Sequence, residues 1–566
     1  MTRLTNDPAD FPAEALKGFI AANKRYVKPV YGGVARSTFT PAGKVAVVYG
    51  GGSGHYPAFA GWVGHGFADG AVCGNIFSSP SAAQAYSVLK AVHRGAGVLM
   101  GFGNYAGDVL HFGQAIERLR AEGIEADTLV VTDDIASGDA AEPEKRRGIA
   151  GDFPVFKITS AAAEAGLGFD EVKRVFARAN AATRSFGVAF AGCTLPGAKG
   201  PLFTVPAGRM GIGLGIHGEP GVAEADLGSA DDVARTLVEG LLADRPAGAG
   251  NRVVAIINGL GASKYEELFV VTSCVVARLE AAGLECADVE AGEFVTSLDM
   301  AGVSLTLVWV DDELLGYWDA PCDAPAYRKG SVGSVERDDA ALSQAAAPVE
   351  VTTPGSTASR EVAEVAAGLL DDVAEMLAQA QEELGALDSV AGDGDHGIGM
   401  ANGSRAAAGA AHAAVSAGGG LRTTLTAAGD AWSNRAGGTS GALWGALLTA
   451  LGSALGDEKT PSSDDLAAAL QAALSAVQRL GGAEVGDKTL VDALSPFVAA
   501  FVATDGDLVA RSAAAVVAAE AGTESTRALV ARLGRARPLG EKSVGTPDPG
   551  AVSLTKVVAL LNSRLS

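Results

Sequence analysis

Short apolar runs and longer amphipathic stretches alternate along the first half of the chain, from about Lys44 to Val310. The longer stretches, such as SAAQAYSVLKAVHR, have a helical pattern, whereas the short runs are rich in Val and have the length of buried strands. Alternating strands and helices predict an α/β fold in which functional loops follow the carboxyl ends of the strands. The apolar runs read VAVVYG, AGVLMGFG, DTLVVTDD, RVVAIING and LTLVWV.

The pattern changes towards the second half. Between 336 and 360 the sequence is rich in Ala, Ser, Thr and Pro and lacks sustained apolar periodicity, which is typical of a linker. From Glu361 onward long helical segments follow one another, including EVAEVAAGLLDDVAEMLAQAQEEL and DDLAAALQAALSAVQRLGG. We therefore predict an α/β domain over 1–335, a linker over 336–360 and an all-α domain over 361–566.

Charge and composition narrow the class of protein. A net charge of −22 at pH 7 would repel polyphosphate backbones and anionic lipids, so we expect no nucleic-acid or membrane partner. The five cysteines show no paired metal-ligand spacing, and reduced thiols are expected. Because MTRLTNDPADF lacks the apolar stretch of a signal peptide and no apolar run reaches about 18 residues, we expect a cytoplasmic protein.

Three glycine-rich segments of the α/β part place reactive side chains where loops are expected. In VAVVYGGGSGHYP, His55 follows a turn whose N–H groups can approach an oxygen-rich ligand, although many such turns bind nothing. In VLMGFGNYAGDVLHF, Asp108 is either a helix N-cap or a base at the end of a strand. In RMGIGLGIHGEPGV, His217 between two glycines is either a structural histidine or an accessible nucleophile.

One segment of the helical part concentrates carboxylates. LDSVAGDGDHGIGM places Asp388, Asp393 and Asp395 close together among glycines, and three hard oxygen ligands suit Mg²⁺ carrying nucleotide phosphates. An acidic surface loop is the simplest alternative. An EF-hand calcium loop is disfavoured, because the spacing lacks its alternating ligands and terminal Glu. Downstream, RAGGTSGALWG supplies a turn at a helix start that could meet phosphate oxygens.

Taken in order, GGGSGH, GNYAGD, RRGIAG, GIHGEPG and INGLGA resemble the substrate domain of the dihydroxyacetone kinase family over residues 1–335. The resemblance implies two α/β subdomains, a hemiaminal between His217 and the ketone carbonyl, and Asp108 as general base for the hydroxyl that is phosphorylated. A polyol could not be captured in this way, because it has no electrophilic carbon. The ketose would be positioned by the GSGH loop, namely Gly52, Ser53, Gly54 and the catalytic His55.

Four later motifs, DxxxxGDGDHG, GGTSGALW, GDKTLVDAL and GTPDPGA, resemble the nucleotide domain of the same family throughout residues 361–566. The resemblance implies an antiparallel helical barrel in which Asp388, Asp393 and Asp395 hold two magnesium ions that bridge the phosphates of ATP. The sequence has no Walker P-loop. The residues expected to line the nucleotide are His396, Gly397, Ile398, Gly399, Thr439, Ser440, Gly482, Thr489, Leu490, Asp548, Pro549 and Gly550.

The departures from the family pattern cluster near the sugar. The usual GGGSGHEP and KNYTGD read GGGSGHYP and GNYAGD, so Tyr56 replaces a glutamate and Gly103 replaces a lysine, while His111 stands where asparagine is common. Loss of the lysine at Gly103 removes a charge and is expected to open space for a longer ketose. We therefore favour a tetrulose such as erythrulose as the substrate, with dihydroxyacetone as the alternative.

Two other functions are compatible with the motifs. A catalytically inactive ketose sensor would keep the substrate domain, but the complete aspartate triad argues against it. A phosphoenolpyruvate-dependent relay normally keeps the two domains on separate chains, so their fusion favours direct use of ATP. The resemblance also implies a homodimer whose small-molecule partners are a ketose and ATP.

Overall fold

The protein is described by a computed structural model that covers residues 4–217, 219, 221–338 and 354–565, apart from the side chain of Pro538. The chain forms two compact units, Met1–Pro348 and Val349–Ser566. Most of the predicted linker lies at 339–353, outside the described residues. The carbonyl oxygen of Glu336 still accepts a hydrogen bond from Phe39 of the first unit, at 2.8 Å. Helical structure begins at Thr357 rather than Glu361, so both ends of the predicted linker belong to folded parts.

The apolar run VAVVYG lies in an interior strand of the first sheet of the first unit. Its strands are β1 (Val27–Val30), β2 (Gly33–Arg36), β3 (Ala46–Ser53), β4 (Gly70–Ile76), β5 (Val98–Gly103) and β6 (Ala126–Val131), in the order β1-β2-β4-β3-β5-β6. Strands β3 to β6 are parallel, and β1 and β2 extend the sheet with antiparallel pairing. Val47 and Val48 point into different buried clusters, so both faces of β3 are covered, as in other parallel sheets.

The second sheet is mixed. Its strands are β7 (Thr183–Ala191), β8 (Arg209–Ile212), β9 (Ala223–Asp226), β10 (Arg252–Gly259), β11 (Glu285–Gly292) and β12 (Ala301–Trp309), in the order β11-β10-β12-β7-β8-β9. A small hairpin pairs β13 (Cys322–Asp323) with β14 (Arg328–Lys329). The helices of the first unit are α1 (Phe11–Ala22), α2 (Ala82–Val92), α3 (Ala106–Ala121), α4 (Asp152–Glu164), α5 (Phe169–Ala181), α6 (Ala230–Ala243), α7 (Tyr265–Ala281) and α8 (Asp312–Asp319).

The described part of the second unit contains helices, turns and loops and no β-strand. Its helices are α9 (Thr357–Gln379), α10 (Gln381–Asp388), α11 (His396–Ser416), α12 (Leu421–Ala436), α13 (Gly438–Leu455), α14 (Ser463–Gly481), α15 (Val491–Ala503), α16 (Leu508–Ser525) and α17 (Pro549–Ser563). The helices from α11 to α14 pack side by side through short connections, as antiparallel neighbours do, and so do α15 and α16. A longer connection leads to α17, which packs against α16 and back against α9 and α10 to close the ring. The prediction of an α/β part followed by an all-α part is confirmed.

Small residues let these helices approach closely. The rings of Trp432 on α12 and Trp444 on α13 stack with centroids 4.8 Å apart. A Cβ atom at Gly403 of α11 would lie 2.4 Å from a ring carbon of Trp432, so the glycine is required for this packing. All five cysteines are unpaired thiols. Among the helices that the structure describes, none has both the length and the hydropathy needed for a membrane span.

Candidate functional site

Two buried histidines from separate loops meet in the first unit. His55 follows the glycine-rich end of β3, and His217 follows β8. Their Nε2 atoms lie 3.0 Å apart, and Nδ1 of His55 lies 2.7 Å from the carbonyl oxygen of Thr296. Because a carbonyl only accepts hydrogen bonds, Nδ1 of His55 carries a hydrogen, and the contact between the two Nε2 atoms requires one more. The pair therefore shares a proton at the point where His217 could react.

A buried carboxylate supports the other side of His217. Oε2 of Glu219 accepts a hydrogen bond from the backbone N–H of His217 at 2.9 Å, and Oε1 lies 3.3 Å from its Nδ1. Arg147 lies 3.5 Å from Oε1 of Glu219 and pairs with Asp134 at 2.8 Å. Burial opposes the charge of Arg147, but Asp134 and Glu219 outweigh it and raise its pKa. Glu219 is thus held as an anion beside the histidine pair.

Aromatic rings enclose the histidines. Phe77 stacks on His55 with ring centroids 4.9 Å apart, and Tyr105 meets His217 edge-on at 4.5 Å. Burial raises the pKa of Tyr105 well above its usual value, and its hydroxyl has no hydrogen-bond partner among the described residues. The site therefore offers a neutral phenol group next to the imidazole of His217.

Asp108 follows the N-cap residue Tyr105 at the start of α3. It lies in the first turn of α3, is 6% exposed, and is followed one helical turn later by the buried His111. Its side chain does not cap the helix, because the N-cap residue is Tyr105 and no side-chain capping bond is formed there. The structure therefore rejects the alternative of an N-cap, and the role as a base stays a prediction.

The GSGH loop is shaped by close contacts with Phe77. A Cβ atom at Gly52 would lie 2.9 Å from Cα of Phe77, and one at Gly54 would lie 2.8 Å from its ring. Gly54 also has a φ of 105°, which side-chain-bearing residues rarely adopt. The Ser53 hydroxyl donates a hydrogen bond to Gly74, at 2.7 Å, so its side chain stabilises the loop.

The second unit gathers the three predicted metal ligands. Asp388 ends α10, Asp395 is the N-cap of α11 and Asp393 lies in the turn between them; one carboxylate oxygen of each lies within 4.8 Å of the others. Oδ2 of Asp388 accepts hydrogen bonds from the backbone N–H groups of Gly394, at 2.9 Å, and His396, at 3.4 Å. Three hard oxygen donors at this spacing fit Mg²⁺.

An arginine that the sequence did not single out contacts this cluster. Arg535, between α16 and α17, forms ion pairs with Asp393 and with Asp395, the latter at 3.0 Å. The guanidinium therefore offsets part of the negative charge of the three carboxylates. No sequence signal marked Arg535, because it lies far from the aspartates along the chain and outside the quoted motifs.

Two of the predicted nucleotide-binding motifs and the last helix, α17, meet at His396. Its Nδ1 lies 3.2 Å from the Ser440 hydroxyl in the first turn of α13, and its Nε2 lies 3.0 Å from the Ser553 hydroxyl on α17. Burial lowers the pKa of His396, so the neutral ring is favoured. Thr439 precedes Ser440 at the same helix start, where free N–H groups can bind phosphate.

The remaining predicted contacts divide into two groups. A Cβ atom at Gly550 would lie 3.3 Å from Cβ of Leu490, which brings Thr489, Leu490, Asp548, Pro549 and Gly550 to one place. Burial raises the pKa of Asp548, which caps α17, to about 7. Elsewhere local structure accounts for the glycines: a Cβ at Gly397 would lie 2.0 Å from a carbonyl oxygen of α10, and Gly482 is the left-handed C-cap of α14. Ile398 is partly exposed, and Gly399 has open space beside it.

Family models match both units. The model of the Dak1 domain matches residues 17–326 and that of the DAK2 domain matches residues 390–563. The chain belongs to the dihydroxyacetone kinase family. A D-erythrulose kinase of Mycolicibacterium smegmatis is 55% identical, covering 98% of this chain and 97% of the relative. An L-erythrulose 1-kinase of the same organism is 54% identical over the full length of both chains.

A solved member of the dihydroxyacetone kinase family shares the architecture. The dihydroxyacetone kinase from C. freundii, crystallised with AMP-PNP and Mg²⁺, is 30% identical and superposes with a TM-score of 0.54, covering 100% of this chain and 99% of that one. The prediction of the family from the ordered motifs is confirmed by these matches. Two residues without an assigned role in the sequence, Arg147 in RRGIAG and Arg535, now join the candidate sites.

The structure corrects one expectation about departures from the family pattern. Gly103 does not open space, because a Cβ atom there would lie 3.0 Å from the carbonyl oxygen of Gly148. Tyr56 is half exposed, and its ring lies 6.0 Å from that of Phe19 on α1, lining a cavity of about 540 Å³ beside that helix. Contact of Tyr56 and Gly103 with the sugar stays a prediction. His111 lies on the same face of α3 as Asp108 and is fully buried.

Proposed function

We propose that this chain is an ATP-dependent kinase for a short-chain ketose, which it holds as a hemiaminal on His217 while a terminal hydroxyl is phosphorylated. The observation that carries the proposal is the 3.0 Å contact between the Nε2 atoms of His55 and His217 in a buried pocket. Erythrulose is the proposed substrate, because two full-length relatives above 50% identity are named erythrulose kinases. Dihydroxyacetone is the alternative.

Capture of the ketose follows from the protons on the histidine pair. When Nε2 of His217 adds to the carbonyl carbon, an N–C bond forms and the π electrons move to the carbonyl oxygen. The proton shared with His55 then passes to that oxygen, which leaves a neutral hydroxyl. The imidazole of His217 gains positive charge as the bond forms, and the Glu219 carboxylate beside Nδ1 offsets it.

Phosphoryl transfer would use Asp108 and the second unit. Asp108 accepts the proton of the terminal hydroxyl as that oxygen attacks the γ-phosphorus of ATP and the bond to ADP breaks. The buried Tyr105 hydroxyl, which has no hydrogen-bond partner among the described residues, would donate a hydrogen bond to a sugar oxygen. Carbonyl chemistry at His217 thus selects the sugar, and the carboxylate at Asp108 selects which hydroxyl reacts.

In the second unit, Asp388, Asp393 and Asp395 would hold magnesium, two ions in our proposal, and the N-terminal turns of α11 and α13 would receive the phosphates. Bound Mg²⁺ neutralises phosphate charge and orients the γ-phosphoryl group. Because each unit binds one reactant, turnover requires the two units to meet. We further propose a cytoplasmic homodimer, on the basis of the family resemblance.

Steady-state kinetics with dihydroxyacetone, D-erythrulose and L-erythrulose test the proposal. We expect magnesium-dependent ADP formation, with the highest kcat/KM for one erythrulose enantiomer. A clear preference for dihydroxyacetone would reject the tetrulose. If no short ketose gave ADP formation, the kinase itself would be rejected in favour of a ketose sensor. Intact-mass spectrometry of the ketose-treated protein, with His217→Ala as control, checks capture separately.

A further inference from the structure

A buried lysine holds together the connection between α16 and α17. Lys488 lies in the GDKTLVDAL motif and is 5% exposed. Its Nζ donates hydrogen bonds to the carbonyl oxygens of Leu529, Ser543 and Thr546, at 3.1, 2.6 and 2.8 Å. An ammonium ion has three N–H donors, and these contacts use all of them. Lys488 therefore acts on the chain itself and not as a ligand of a phosphate group.

The backbone conformation of Lys488 is unusual and firmly held. Its φ is 62°, in the left-handed region that residues with a side chain seldom adopt. One carboxylate fixes the backbone on both sides of it: the two oxygens of Asp492 on α15 accept hydrogen bonds from the N–H groups of Gly486, at 2.6 Å, and Thr489, at 2.7 Å. A strained conformation persists only where its surroundings impose it, and such positions are often functional.

The three carbonyl groups lie at the two ends of one segment, residues 529–546. One belongs to its first residue and two to its last four residues, so a single ammonium ion joins the ends. The two arms of the segment also contact each other. The N–H of Ala531 donates a hydrogen bond to the Ser543 hydroxyl at 3.3 Å, and a Cβ atom at Gly540 would lie 2.6 Å from the carbonyl oxygen of Ala531. The segment is therefore a closed loop whose base forms around Lys488.

Arg535 lies between the two ends of this segment. Three residues before it, the N–H of Arg532 donates a hydrogen bond at 3.2 Å to the carbonyl oxygen of Asp487, the residue immediately before the lysine. The guanidinium of Arg535 forms ion pairs with Asp393 and Asp395, the latter at 3.0 Å. A hydrogen bond, three residues of chain and two ion pairs therefore connect the loop of the lysine with the predicted metal ligands.

We propose that Lys488 is a positioning residue for the metal site: it joins the ends of segment 529–546 and thereby holds Arg535 at the carboxylates of the three aspartates. The guanidinium offsets their charge while no metal is bound, and a metal ion must compete with it for the same oxygens. Lys488 therefore lowers the affinity for the ion without touching it. This inference rests on the proposed function of the aspartates as magnesium ligands.

The first test is hydrogen exchange of the metal-free, full-length protein. Lys488→Met keeps most of the apolar side chain but removes the donors, so peptides covering 529–537 should exchange at least about tenfold faster, as expected for lost hydrogen bonds to a charged group. Lys542→Met is the matched control, because Lys542 is an exposed lysine of the same segment, and its exchange should match wild type. Unchanged exchange in Lys488→Met, or an equal change in the control, would overturn the inference. Lys488→Gln, which keeps two N–H donors, replaces the Met variant if that variant does not fold.

The second test asks whether Lys488 acts through Arg535. Calorimetric titration with MgCl₂ in the absence of nucleotide should show about 3- to 10-fold tighter binding in Lys488→Met, as for the loss of the arginine itself. In an Arg535→Ala background the same substitution should change the dissociation constant by less than about twofold, because the group through which it acts is gone. Weaker Mg²⁺ binding in Lys488→Met, or equal changes in the two backgrounds, would overturn the inference. If wild type bound no Mg²⁺, the proposed metal site would fail instead, and hydrogen exchange would still decide whether Lys488 holds the segment that carries Arg535.

Discussion

Replacing Glu219 with Gln should weaken ketose capture while leaving the loop in place. In the structure, one carboxylate oxygen accepts the backbone N–H of His217 at 2.9 Å, a contact that a Gln side-chain oxygen can keep. The other oxygen faces Nδ1 of His217 at 3.3 Å, and only a carboxylate can offset the positive charge that the ring gains in the hemiaminal. The substitution thus removes a negative charge next to the hemiaminal but keeps the hydrogen bond that stabilises the loop.

The size of the expected loss of ketose affinity follows from the burial of the two side chains. The side chains of His217 and Glu219 are 7% and 4% exposed, so solvent screens their interaction weakly. A hydrogen bond to a charged group contributes about 1.5–3 kcal/mol, which corresponds to a rise of about 10- to 100-fold in the dissociation constant of the ketose. Isothermal titration calorimetry without nucleotide measures this constant directly, and intact-mass spectrometry reports the adduct.

Glu293→Gln is the control for the loss of a carboxylate near this site. Glu293 lines the cavity beside α1 that also contains Tyr56, and burial raises its pKa. Its replacement should leave ketose affinity unchanged. An affinity within twofold of wild type for Glu219→Gln would refute the assigned charge balance, as would an equal loss in the Glu293 variant.

Three further outcomes are expected. Asp393→Asn should raise the KM for Mg-ATP at least about tenfold and leave the ketose dissociation constant unchanged, since the metal loses one ligand. Arg535→Ala should tighten Mg²⁺ binding without nucleotide by about 3- to 10-fold, measured by calorimetry, because a competing cation is removed. Burial would raise the pKa of Glu164, but the neighbouring cations Lys44 and Arg36 outweigh burial and lower this pKa to about 2. The Glu164 carboxylate therefore contributes about 3 kcal/mol to the free energy of unfolding above pH 4.5, and this contribution is lost as the pH falls towards 2. Accordingly, Glu164→Gln should weaken the hydrogen-exchange protection of β3 and β4 at pH 7 but not at pH 2.

The pattern of apolar and polar residues predicted the types of the elements well, because buried positions are apolar and recur with the period of the helix or strand. The run VAVVYG indicated a strand covered on both faces, and β3 is such a strand. The order of strands, including the antiparallel edges of both sheets, depends on pairings between distant segments that no short pattern specifies. The start of the helical part was placed at Glu361, whereas α9 begins at Thr357 after a Ser356 cap, because Ser and Thr are typical of both linkers and helix starts.

In the candidate sites, too, residues that are close in sequence were predicted and contacts between remote segments were not. The aspartates of the metal cluster are close in sequence, so their spacing alone indicated a shared ligand set. Arg535 reaches that cluster only through the closure of the helical ring. At Gly103 the residue type suggested added space, but the backbone of Gly148 fills it. Neither contact has a sequence signal, since each depends on where two remote segments are brought together.

The two carboxylate oxygens of Asp388 have different roles, and this difference affects the entropy that the loop would lose on binding a metal ion. Oδ2 is held by the N–H groups of Gly394 and His396, so the loop keeps its curvature through contacts within the chain. A metal ion can then use Oδ1 without first ordering the segment from 389 to 395. Little backbone entropy need be lost on binding, and the affinity for the ion can respond to nucleotide rather than to folding of the loop.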